Sequence, residues 1–305
     1  MSPSRFNPFA LDNDTDYLNW RACKLENYPA SHTDLMVQIN DPRQLTPDEH
    51  DAILARCRKA NMAIYSSPLG NVADKEITRQ LGLQFGLNRL DRNMLADDDG
   101  ITTLAVHAEG EHKHYIPYTD RAIKWHTDGY YNPHDRQIRG VQLHCVRSAA
   151  TGGDNGLLDH EIAYILLRDA NPDHIRALMA PDAMTIPARM DEDGIARPDE
   201  TGPVFSIHPS SGDLHMRYTA RTRSIRWKKT PQVEAAVAFL DQLLNSDSPY
   251  IFRCCLEPGM GLICNNVLHD RSAFSDDKDC RRLLYRARYF DRIKGTELIA
   301  AYPAK

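Results

Sequence analysis

Trp125-His126-Thr127-Asp128-Gly129-Tyr130-Tyr131 is the stretch on which the reading of this chain turns, taken together with a distant histidine, His269. Side chains alternate across an extended strand, so His126 and Asp128 leave the backbone on the same side and can point at a single ion. A third donor must come from elsewhere in the chain. Two imidazoles and one carboxylate on one face of an octahedron leave open positions opposite, an arrangement suited to non-haem Fe(II).

Outward from this stretch the chain is rich in short strand-like runs. They are 101–106, 142–146, 204–207, 214–218, 250–256, 261–264 and 284–290, most of them bounded by Gly, Pro, Asn or Asp. Two helical stretches, 161–178 and 231–245, interrupt them. Many short strands with long insertions predict a mainly β chain with flanking helices and a double-stranded β-helix (jelly-roll) core, not a parallel α/β sheet. Upstream, residues 1 to about 20 read as an irregular polar arm, and 36–40 as a strand. Thr46-Pro47-Asp48-Glu49 has the form of a helix start, with Thr46 as N-cap, Pro47 at the first helical position and Glu49 closing a capping box. A strand over 62–67 and a helix over 73–83 follow. The expected organisation is a single domain over 1–305, with an α/β part to about residue 100 flanking a jelly roll over about 101–293.

Composition narrows the possibilities. At 305 residues, with 42% hydrophobic and 26% charged residues, the chain has the make-up of a soluble globular protein with a sizeable core. A net charge of −5 gives no reason to expect nucleic acid or an anionic membrane as partner. No basic-then-apolar leader and no long apolar run is visible. Seven cysteines, an odd number without a Cys-x-x-Cys pair, read as reduced thiols, and the expected location is the cytoplasm.

At the level of linked motifs the chain resembles the taurine dioxygenase family of Fe(II)- and 2-oxoglutarate-dependent oxygenases, which includes γ-butyrobetaine hydroxylase. The matching pieces, in order, are Trp125-His126-Thr127-Asp128, Gly152-Gly153-Asp154 with Asp159, Asn266-Val-Leu-His269-Asp-Arg-Ser-Ala-Phe274, and Arg281-Arg282-Leu-Leu-Tyr-Arg286. The resemblance implies that His126, Asp128 and His269 are the iron ligands and the catalytic centre. Arg282 takes the position of the arginine that binds 2-oxoglutarate, with Arg281 as a fallback. Asn155 stands where many members have a threonine that helps hold the same cosubstrate. O2 is the second cosubstrate. The reaction implied is oxidation of an unactivated C–H bond, most simply hydroxylation, with release of succinate and CO2.

For the substrate, a small organic acid or zwitterion is expected. Arg286 lies on the Arg282 face of its strand, and Arg221 belongs to a basic run, Arg217 to Lys229, that aligns with the segment bordering the pocket. Tyr130 and Tyr131 follow the metal motif and could enclose a quaternary ammonium. The polar, Gly- and Pro-punctuated segment 189–202 reads as a mobile loop, and His112 and His114 as solvated loop residues. Two alternatives stand beside this reading: a zinc- or other metal-dependent hydrolase using the same three donors, and a non-catalytic jelly-roll binding protein. Arg282 argues against the hydrolase, which needs no clamp for a cosubstrate carboxylate. Neither nucleic acid nor membrane is expected as a partner. A homo-oligomer is compatible with relatives that are often dimers or tetramers.

Overall fold

A computed structural model describes residues 6–92, 97–106, 115–191 and 194–298. His107, His112 and His114 lie outside the described residues. Six strands form a larger sheet in the order Met36–Gln38, Met62–Ser66, Met260–Cys264, Gly140–Arg147, Leu283–Tyr289, Thr102–Leu104. The first pair is parallel and the others antiparallel. A smaller antiparallel sheet runs Phe252–Cys254, Asn155–Leu158, Leu268–Arg271, Ile123–His126.

The alternation of side chains explains how the two sheets close on each other. Met260, Leu262 and Cys264 join Leu143, Cys145 and Leu284 from the larger sheet and Leu157, Phe252 and Cys254 from the smaller one in a single buried cluster. Their neighbour Ile263 faces the opposite way, with Ala63, Tyr65, Ala287 and Tyr289. That outer face is covered by helices α2 (Pro47–Ala60) and α3 (Glu76–Gln84) through Ile53, Leu54, Cys57 and Leu81. The outer side of the smaller sheet, with Trp125, Leu158 and Leu268, belongs to a third cluster. That cluster also holds residues of α1 (Asp14–Leu25), α4 (His160–Ala170), α5 (Pro172–Leu178) and α6 (Pro231–Leu244). Two facing sheets with helices outside are the expected jelly roll. Gly261 lies where this packing is tightest: a Cβ there would sit 2.3 Å from the Tyr65 ring and 2.4 Å from the Leu143 carbonyl oxygen.

Several local expectations hold and others need correction. The Thr46 capping box forms, with Pro47 opening α2. The arm to about residue 20, expected to be irregular, is helical from Asp14, in a helix that runs to Leu25. Asn13 caps it by accepting from the Asp16 N–H, and Tyr17 and Trp20 are buried. The expected 161–178 helix is two helices, because Pro172 opens the second one behind an Asn171 cap. Segment 189–202, expected as a mobile loop, is built of short strands: Arg189–Asp191 pairs with Gly194–Arg197, and Glu200–Gly202 pairs with Met184–Ile186. No described helix is long and apolar enough to cross a membrane.

A buried polar chain ties the N-terminal part to the rest. Lys24 Nζ lies 2.7 Å from Asp159 Oδ2 and also reaches Glu161. Asp159 accepts in turn from Asn61 Nδ2, and Asn61 Oδ1 accepts from Asn265 Nδ2. Asp159, a motif residue, thus links α1 to the rest of the chain.

Candidate active site

The Ile123–His126 and Leu268–Arg271 strands are paired in the smaller sheet with His126 directly opposite His269. Their ring centroids are 4.2 Å apart. Each imidazole is oriented the same way: Nδ1–H donates to a backbone carbonyl two residues back, Lys124 in one case and Val267 in the other, at 2.9 Å. This fixes the tautomer and leaves Nε2 free to act as a ligand atom. Asp128 follows on the turn after the first strand. Its backbone is held by Asn266, whose side-chain oxygen accepts from the Asp128 N–H at 2.8 Å and whose amide donates to the Asp128 and Ile138 carbonyls. Asn266 adopts a left-handed φ of 51° to do this.

Ligand atoms of His126, Asp128 and His269 lie within 4.8 Å of one another, the one such group among the described residues. Asp128 is buried, and its Oδ2 has no hydrogen-bond partner. A buried carboxylate oxygen without a donor is costly unless something else satisfies it. The donor set, the two anchored rings and this orphaned oxygen together fit a divalent ion. Burial alone would raise the Asp128 pKa, but Arg286 and Arg288 outweigh it and hold the group below the usual carboxylate range. Burial, reinforced by His269, pushes His126 down to about 3, so its ring is neutral.

The Leu283–Tyr289 strand brings arginines to the same interior. Arg282, Arg286 and Arg288 share the inward face, while the fallback candidate Arg281 is exposed. Arg286 Nη1 lies 3.3 Å from Asp128 Oδ1. Arg282 is only 6% exposed, its guanidinium 5.0 Å from the centre of the Phe274 ring, and among the described residues no carboxylate pairs with it. The Gly152-Gly153 turn lies against it: a Cβ on Gly153 would be 3.5 Å from Arg282 Nε. Asn155, on the inward face with Leu157, has a buried amide nitrogen without an acceptor. An unpaired guanidinium and an unpaired amide donor near one glycine turn suit an anionic oxygen ligand.

Of the remaining candidates, Tyr130 and Tyr131 pack edge to face at 5.3 Å. The Tyr131 hydroxyl accepts from Arg288 Nη1 at 2.8 Å. Arg221 is half-buried beside the metal strand, where Ala220 N–H donates to the Trp125 carbonyl, and its side chain meets none of the other candidates. Much of the surrounding basic run is structural: Arg217 is buried and donates to the Met184 and Glu200 carbonyls, Arg226 pairs with Asp199, and Lys228 with Asp182. Sequence reading missed Arg288 and Asp91, which form a buried ion pair. Extending the period of two beyond Arg286 would have found Arg288; nothing local marks Asp91.

Residues 29–288 match the model of the Taurine catabolism dioxygenase TauD, TfdA family. The chain belongs to this family. It is a TauD/TfdA-type oxidoreductase, an Fe(II)- and 2-oxoglutarate-dependent dioxygenase that uses O2. A uridine-5'-phosphate dioxygenase from an Amycolatopsis species is 30% identical over 275 residues, covering 84% of this chain and 96% of that protein. A protein of the same description from a Streptomyces species is 28% identical over 274 residues, covering 85% and 94%. Among solved structures, an asparagine oxygenase in complex with Fe(II), 2S,3S-3-hydroxyasparagine and succinate shares the fold. Its TM-score is 0.55 at 14% identity, covering 90% of this chain and 89% of that one. These relatives fit a dioxygenase acting on a small molecule and leave no ground for the hydrolase or the non-catalytic reading.

Proposed function

We propose that His126, Asp128 and His269 hold the iron of this TauD/TfdA dioxygenase, that Arg282 and Asn155 receive 2-oxoglutarate, and that the substrate is a small phosphate monoester of the nucleotide type. The observation that carries the metal assignment is the convergence of Asp128, buried and with a partnerless Oδ2, on two imidazoles whose other nitrogens are already engaged. Once bound, Fe(II) with 2-oxoglutarate and O2 supplies the oxidising power for attack on a C–H bond, the keto acid leaving as succinate and CO2. The protein's part is positional. The carbonyls of Lys124 and Val267 aim the rings, Asn266 fixes the Asp128 backbone, and Arg286 keeps the Asp128 carboxylate ionised while presenting a cation to the substrate side. Arg282 and Asn155 offer donors for the carboxylate oxygens of the cosubstrate.

The substrate class rests on charge. Tyr131 stands between two guanidiniums, Arg288 and Arg197, 5.9 and 6.0 Å from its ring centre. Arg288 is paired with Asp91, but Arg197 leaves a cation beside the Tyr131 ring that disfavours a quaternary ammonium and favours an anion. Tyr130 and Tyr131 are therefore assigned to an anionic substrate, with Arg286 and Arg221 as its cations. The names of the relatives refine the anion from an organic acid to a phosphate ester. Seven unpaired cysteines accord with a cytoplasmic setting. The test is anaerobic addition of Fe(II) and then 2-oxoglutarate, followed by a succinate-release screen headed by uridine 5'-monophosphate. A weak visible charge-transfer band and coupled succinate release are expected. Bound iron without the band would remove Arg282 and Asn155 from their role.

A further inference from the structure

The hairpin Arg189–Asp191/Gly194–Arg197 carries a feature that packing does not explain. Arg189 and Arg197 are direct cross-strand partners, so two like charges face each other across a two-stranded ribbon. Like charges in that relation destabilise a hairpin. Neither guanidinium has a carboxylate partner among the described residues. Arg189 donates to the Tyr115 hydroxyl and lies 4.9 Å from the centre of that ring. Arg197 donates to the carbonyls of Pro198 and Pro187 and lies 6.0 Å from the Tyr131 ring centre. A guanidinium carries five N–H donors, and among the described residues most of those on the pair have no acceptor. The tyrosines are not remote from the chemistry. Tyr131 comes three residues after Asp128 and accepts from Arg288, while Tyr115 opens the turn Ile116–Tyr118, whose Tyr118 is buried under the field of Arg286 and Arg288.

We infer that this hairpin is the phosphate subsite of the substrate pocket: Arg189 and Arg197, steadied by Tyr115 and Tyr131, grip the phosphate oxygens of a phosphate monoester whose remaining part extends to the metal centre. Paired guanidinium forks match phosphate oxygens geometrically, and bound phosphate relieves the repulsion that the empty hairpin sustains. The two arginines sit side by side across the ribbon, each next to a tyrosine. This inference rests on the phosphate-ester reading given above and gives the phosphate itself to Arg189 and Arg197, outside every matched motif, leaving Arg286 and Arg221 to the part of the substrate nearer the metal centre.

The test compares uridine 5'-monophosphate, uridine and inorganic phosphate by anaerobic fluorescence titration of the enzyme loaded with Fe(II) and 2-oxoglutarate. Wild type is expected to bind the monophosphate at least about tenfold more tightly than uridine, with inorganic phosphate competing against the monophosphate. Arg189→Gln and Arg197→Gln should each weaken the monophosphate by about tenfold, the cost of losing a charge-assisted contact. Uridine binding should not change, and Arg189→Lys should recover part of the loss. A merely structural hairpin would weaken both ligands alike; that result, equal affinity for the two, or binding of neither the monophosphate nor inorganic phosphate, overturns the inference. The charge-transfer band, read in the same sample, separates the failures. Its absence in wild type refutes the cosubstrate assignment. Its presence without phosphate preference in wild type refutes the phosphate-ester reading and the hairpin with it. A wild-type preference that survives both Arg189→Gln and Arg197→Gln refutes the hairpin alone.

Discussion

Asp128 is a charge placed where burial opposes it and two arginines insist on it. Asp128→Asn keeps the shape and removes the charge, so Fe(II) affinity should fall by at least about a hundredfold, since even disturbing the groups behind a ligand costs up to that much; metal titration that finds wild-type affinity would remove Asp128 from the ligand set. The two neighbouring arginines offer a sharper contrast. Arg282→Gln should raise KM for 2-oxoglutarate by at least about tenfold, as expected for losing a charge-assisted contact, whereas Arg281→Gln, on the exposed face, should leave it unchanged. Steady-state kinetics that reverse the two would move the cosubstrate. This much was legible in the sequence, because strand alternation alone puts Arg282 and Arg286 together and Arg281 apart. Asp91 was not legible. Its pairing with Arg288 depends on how a segment outside both sheets returns to the Leu283–Tyr289 strand, and no periodicity encodes that return.

At the scale of elements, α1 shows why a helix can be overlooked. Tyr17, Trp20 and Lys24 line its buried side at helical spacing, but the third is a lysine, so the apolar stripe breaks where the helix meets Asp159 and Glu161. A buried cation becomes intelligible only when its partners, more than a hundred residues away in sequence, are in place. Lys24→Met would strand both carboxylates, and removal of one partner of a buried pair costs about 3–5 kcal/mol. Thermal unfolding should show a loss of several degrees, and an unchanged melting temperature would mean that the pair contributes little. The split between α4 and α5 was, by contrast, written locally: Asn171-Pro172 is a cap followed by a residue that cannot continue the preceding helix, and a single helix across it was a misreading of plain chemistry.

For the whole molecule, acid stability follows from a histidine in the core. His144 sits between the larger sheet and its covering helices, paired with the Tyr65 hydroxyl at 2.9 Å, and burial pushes it down to about 4. Its unfolded value is about 6.5, so below that pH the unfolded chain takes up a proton that the folded chain refuses. The stability is complete above about pH 6.5 and declines by up to about 1.4 kcal/mol per pH unit as pH falls toward 4. His144→Gln should flatten that part of the profile of Tm against pH; a slope identical to wild type would assign acid sensitivity elsewhere.

The order of strands in the larger sheet also sets a timetable for biosynthesis. Met62–Ser66 leaves the ribosome well before the partner on its inner side, Met260–Cys264, is made. Until then the nascent chain displays an unpaired edge backed by apolar side chains, the kind of surface that chaperones shield and that associates when they do not. His269 follows that late strand by only a few residues, so the stroke that closes the sheet also delivers the last of the three proposed iron ligands. On the proposed ligand set, metal loading waits for residue 269, and a chain stalled before residue 260 has neither a closed sheet nor a complete place for iron.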